Sequence, residues 1–158
     1  MTFKQLISIS ILLLLMITPI ILQAKEKPIF ASKRTNTAIK GYDSVAYFTE
    51  NKAVKGSKTI AYKWHGAQWL FSSKEHLSLF INTPEKYAPQ YGGWCAYAMS
   101  DGRAVAINPK AFEIYNDRLY LNYSNSVLGH WRKEKDQFIK QADGHYPDVV
   151  DISVLEKL

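Results

Sequence analysis

Residues 62–97 read YKWHGAQWLFSSKEHLSLFINTPEKYAPQYGGWCAY, and the fold is decided there. The stretch carries Trp64, Trp69 and Trp94, His65 and His76, the only Cys of the chain, Cys95, and a Gly-Gly pair. Tyr62 and Trp64, preceded by Ile60, alternate with Ala61, Lys63 and His65, which predicts a half-buried strand. His65-Gly66-Ala67-Gln68 reads as a turn, and Trp69-Leu70-Phe71 as the start of a returning strand. Ser72 with Glu75 three residues on has the form of a capping box, so a helix is expected from there to about Asn82. Leu77, Phe80 and Ile81 give that helix one apolar face. Thr83-Pro84 opens a further helical turn, because Pro suits a first helical position. Gly92-Gly93 then bends the chain into Trp94–Met99, a small-residue segment suited to close packing.

Outward from this stretch the chain is simpler. Gly41-Tyr42-Asp43-Ser44 is turn chemistry, and Asp43 or Ser44 is expected to cap a short turn carrying Val45–Phe48. On the other side Ala104–Ile107 reads as a short strand. Phe112–Tyr115 and Leu119–Asn122 form a hairpin around Asn116-Asp117-Arg118. The longest helix is expected over Ser124–Ala142, with Leu128, Trp131, Phe138 and Ala142 on its apolar side and Gly144 ending it. These elements describe one α+β domain: a small antiparallel sheet of hairpins packed against two main helices, Ser73–Asn82 and Ser124–Ala142.

The ends read as accessory. Lys4 precedes an apolar run over Leu6–Ile17, broken by Thr18-Pro19 six residues before Ala24. That is the pattern of a secretory signal peptide over residues 1–24, with an uncleaved N-terminal anchor as the alternative. The run is shorter than the roughly 20 apolar residues a membrane span needs, so no stable span is expected after cleavage. Residues 25–38 lack periodicity and contain Pro28, and are expected to form a flexible lead-in. Residues 148–158, after Pro147, are expected to form a loose tail around a domain at 39–147. The protein is thus expected to be exported, to a bacterial periplasm or the extracellular side.

The full chain has 158 residues and a net charge of +6. Its basic residues are scattered rather than interleaved with Gly and aromatics, which excludes a nucleic-acid surface. One Cys rules out an internal disulfide.

Tyr62, His65, Gly66, Trp69, Phe71, Ser73, Phe80, Pro84 and Tyr87 together resemble the YHS domain pattern. In that family an aromatic hairpin runs into F-C-S-x-x-C-x-x-x-F and a P-x-x-Y turn. Gly41–Ala46 matches the family's opening D-P-V-C, and GYDSVAYF with YAPQYGGWCAYA looks like its exported, single-domain branch. The resemblance covers about Ile39 to Pro147. It implies the fold and an exported setting. Metal-handling members use cysteines at three places, which hold Ala46, Ser72 and His76 here, so the family's thiolate site is not present and only His76 keeps ligand chemistry.

That leaves the lone thiol as the expected centre of any site. Cys95 with Met99, four residues on, and an imidazole from His76 or His65 would suit copper, because soft sulfur ligands select Cu(I); zinc is the other candidate. The expected function is therefore a non-enzymatic exported binder of a metal ion or small ligand near Cys95. The alternative is a structural or partner-binding module whose Cys95 is packed as a small hydrophobe. A Cys/His nucleophile would need a base in reach of the thiol and a third orienting group, and no local signature supports one. The dense aromatics are read mainly as core, since they bury large apolar areas.

Overall fold

The computed structural model describes residues 24–155. The expected signal segment lies outside the described residues except for Ala24. The architecture is α+β, with two antiparallel hairpins and helices packed on them in a single domain.

The first hairpin pairs β1 (Ser57–Trp64) with β2 (Ala67–Phe71). Its connection is the two-residue turn His65-Gly66, with both residues at positive φ, +46° and +73°. Such a mirror-image turn matches the twist of the strands it joins, and Gly supplies one of its two left-handed positions. The second hairpin pairs β3 (Asn108–Tyr115) with β4 (Arg118–Asn122) through Asn116-Asp117, also both at positive φ. The two hairpins stay separate two-stranded sheets. Ala104–Ile107, expected as a strand, is irregular and serves instead as a prop: the Val105 carbonyl accepts the Cys95 N–H at 3.0 Å.

Helices fill the faces that the hairpins leave open. They are α1 (Ala46–Thr49), α2 (Lys74–Asn82), α3 (Pro84–Tyr87), α4 (Ala96–Ser100), α5 (Asn125–Trp131) and α6 (Lys135–Val149). Phe80, on the apolar face of α2, is the hub of the first core. The rings of Trp69, Phe71 and Trp64 lie 5.1, 5.1 and 5.5 Å from it. The second core gathers Tyr91, Met99, Tyr120, Leu128, Trp131 and Ala142 beneath α5 and α6.

Three expectations about the helices need correction. The cap of α2 is Ser73, whose side chain accepts the His76 N–H, and not Ser72. The helix expected over Ser124–Ala142 is broken into α5 and α6 by a tight 3₁₀ turn at Arg132–Glu134. Nor does Gly144 end α6, which runs on through Pro147 to Val149.

The ends, finally, are packed rather than loose. Ile29 and Val150 are buried, the Phe30 ring meets that of Trp94 at a tilt of 60° and 5.0 Å, and Glu26 bridges Val150 in parallel. The approach of the lead-in depends on Gly92, at φ +59°: a Cβ there would lie 1.7 Å from the Pro28 carbonyl oxygen. With that space free, Phe30 N–H donates to the Gly92 carbonyl at 2.9 Å. Hydrophobic periodicity does not register such a contact, because it is made by backbone against backbone.

Candidate functional site

The densest polar cluster in the interior is built on Asp43, which is fully buried. The turn at Gly41–Ser44 delivers its carboxylate into the corner between α1, the end of β2 and the start of α2. Oδ1 accepts the N–H groups of Val45 at 2.9 Å and Ala46 at 3.3 Å. Oδ2 accepts the Ser72 N–H at 2.8 Å and the Ser72 hydroxyl at 2.6 Å. The same oxygen lies 2.7 Å from His76 Nδ1. A buried carboxylate demands such partners, since an unpaired one is too costly to desolvate. Ser72 therefore has a task other than the helix cap expected for it.

His76 owes its place to the local fold. With Ser73 as cap, His76 falls in the first turn of α2, and a helical side chain leans back toward the N-terminus. That direction carries the ring to Asp43. Both carboxylate oxygens already accept backbone N–H groups, so Nδ1 is assigned as a proton-bearing nitrogen that donates to Oδ2. Nε2 faces outward, 3.2 Å from Thr49 Oγ1 and 3.9 Å from Glu50 Oε1. The His76 side chain is 12% exposed, so this edge is reachable from solvent.

The residues expected around the thiol are not brought together. Cys95 is 1% exposed and donates to Asn122 Oδ1 across 3.7 Å. Burial pushes its thiol above the ordinary value of 9.0, against the weaker opposing pull of nearby backbone N–H groups. Met99 is also fully buried but packs in the second core, whereas Cys95 belongs to the first. Cys95 is the residue before α4, with ψ of 118°, and its carbonyl accepts the Met99 N–H at 2.9 Å while the two side chains enter different cores. His65 sits in the β1–β2 turn with its ring 3.8 Å from that of Trp64. Its Nδ1 is buried without a hydrogen-bond partner, and burial lowers its pKa below the ordinary 6.5, with Glu85 opposing.

Of the other histidines, His130 is exposed and His145 Nδ1 lies 3.0 Å from the Ser100 carbonyl. Among the described residues no group of three or more His, Cys, Asp and Glu is arranged to hold a metal ion.

Asp43 as a centre, with Thr49 and Glu50 at its outer edge, went unread in the sequence. Asp43 was legible as a capping residue, and it does bond the N–H groups that open α1; its second oxygen is used by Ser72 and His76, 29 and 33 positions away. One signal did point to the place. Ala46, Ser72 and His76, the three positions singled out by the resemblance, all bond Asp43. No family model matches this chain, and neither a curated protein nor a solved structure matches it.

Proposed function

We propose that the protein is an exported, non-enzymatic binding domain of the YHS kind, and that its ligand atom is His76 Nε2 rather than Cys95 Sγ. The ligand is one zinc or copper ion, held by Nε2 and the Glu50 carboxylate, with water completing the coordination. One observation carries this reading: the Asp43–His76 contact of 2.7 Å. Metal-binding histidines usually donate their other ring N–H to a carboxylate, which sets the tautomer and raises the basicity of the ligating nitrogen. A nitrogen and oxygen pair suits zinc or divalent copper better than the Cu(I) that a thiolate and thioether would select. Convergence of Ala46, Ser72 and His76 on one carboxylate supports the resemblance too, because these are the places where metal-handling members carry cysteines.

A second reading is favoured by the same carboxylate. Asp43 accepts five hydrogen bonds, enough to make the cluster a metal-free staple of a packed scaffold that meets other proteins. Equilibrium dialysis of the exported protein against zinc and against Cu(II), followed by elemental analysis, separates the two. One equivalent retained by the wild type and by Cys95→Ala, but lost in His76→Ala and weakened in Glu50→Gln, is the expected result. Retention by His76→Ala, or no retention by any form, leaves the scaffold reading.

A further inference from the structure

Four cationic side chains line one cavity, and among the described residues none of them bonds a side chain of the His76 cluster. A cavity of about 480 Å³ is lined by Arg34, Lys40, Lys55 and Lys58, with the hydroxyls of Ser32 and Thr35 beside them. No Asp or Glu lines it. Among the described residues none of these four cations takes part in an ion pair, whereas Arg103, Arg132 and Lys135 each have a carboxylate partner.

The wall is built rather than incidental. Tyr42 and Lys55 form a backbone bridge, Gly56 N–H donates to the Gly41 carbonyl at 2.9 Å, and Asp43 N–H donates to Val54 at 2.8 Å. Lys55 Nζ is held twice, donating to the Lys40 carbonyl at 2.9 Å and lying 4.4 Å over the Tyr42 ring. Lys40 is presented by three successive residues at positive φ: Ile39 at +40°, Lys40 at +57° and Gly41 at +77°. A β-branched residue rarely adopts that conformation, and it persists only where the surroundings over-determine it.

Like charges gathered in a concavity without counter-charges repel one another and focus a positive potential outward. Lys and Arg donors with neighbouring hydroxyls are the groups that bind phosphate oxygens through charge-assisted hydrogen bonds. We infer that this cavity binds a multiply charged phosphate group, carried by a soluble phosphorylated compound or by a lipid headgroup. The inference stands independently of the metal reading, since the two sites share no ligating group.

Calorimetric titration with inorganic diphosphate at low ionic strength tests the soluble source. Flotation with phosphatidylcholine vesicles, with and without phosphatidic acid, tests the lipid source. The pocket variant is Arg34→Gln with Lys58→Gln, which spares the structural Lys55. Its control, Lys133→Gln with Lys140→Gln, removes the same charge from exposed positions elsewhere. The wild type is expected to bind at least one of the two probes. Loss of two charge-assisted contacts should weaken that binding about tenfold or more in the pocket variant, while the control stays close to wild type. Diphosphate alone identifies a soluble ligand, phosphatidic acid vesicles alone a headgroup, and both together the shared chemistry. Binding of neither probe, or equal loss in the two variants, overturns the inference.

Discussion

Asp43 holds together three segments that are distant in sequence: the turn into α1, the end of β2 and the start of α2. Removing the carboxylate strands two backbone N–H groups beside α1, the Ser72 N–H and hydroxyl, and the His76 Nδ1–H. Stranding one buried donor costs about 1–3 kcal/mol, so several stranded together should cost about 3–5 kcal/mol. Asp43→Ala is expected to lose about that much in urea unfolding, and Asp43→Asn less, because an amide keeps one acceptor. A loss under about 1 kcal/mol for Asp43→Ala would mean that the donors find other partners, since orphaned buried donors normally cost more than this. Cys95 shows the contrast. Its thiol sits beside Asn122 in a nearly closed interior, so it contributes by packing, as a small apolar group does.

At the scale of elements, the hairpins were plain in advance. Their alternating aromatic and aliphatic residues and turn residues act locally and need no distant partner. The turns are tighter than the expected His65–Gln68 and Asn116–Arg118: Ala67, Gln68 and Arg118 already belong to the returning strands. Helix α2 was equally readable, except that its cap moved from Ser72 to Ser73 once Asp43 claimed the Ser72 hydroxyl. The error at α6 is of another kind. A Gly followed closely by a Pro normally stops a helix, yet packing against α4 and the buried Val150 carry α6 past both. Helix stability in proteins comes mostly from such tertiary packing rather than from propensity. Gly144 is exposed, and nothing lies within 4 Å of where its Cβ would stand. Gly144→Ala is therefore expected to raise stability by about 0.5–1 kcal/mol, read as a higher urea midpoint with an unchanged slope. A neutral or destabilising result would mean that the helix does not run through this position.

For the whole molecule, burial of titratable groups sets the pH range of stability. Burial raises Tyr47 and Tyr91 above the ordinary 10.0, pushes Tyr146 up to about 12, and raises Cys95 above 9.0. Each keeps its proton longer in the folded chain than in the unfolded one. Their contribution is complete below the unfolded values and is lost as pH climbs past 9 and 10 toward the folded values. His65 works in the opposite direction. Its lowered value means that the unfolded chain takes up a proton first as pH falls below 6.5, which draws the molecule toward unfolding. Unfolding free energies measured across pH should peak between about 6.5 and 9, with the alkaline fall steepening as the phenols begin to ionise. A curve still flat at about pH 11 would contradict the burial of these tyrosines, whose ordinary value lies a unit lower.

What the sequence determined by itself was the α+β class, both hairpins, the amphipathic α2 and the aromatic core. These follow from periodicity and turn chemistry, which act over a few residues. Tertiary structure alone decided that Lys25–Thr37 and the described residues after Pro147 pack against the domain, that Cys95 and Met99 fall in different cores, and that the polar centre is a carboxylate. Each of those outcomes depends on contacts between residues far apart in the chain. Burial then sets their energetics, because a charge or a thiol taken out of water must be answered by whatever the fold has brought beside it.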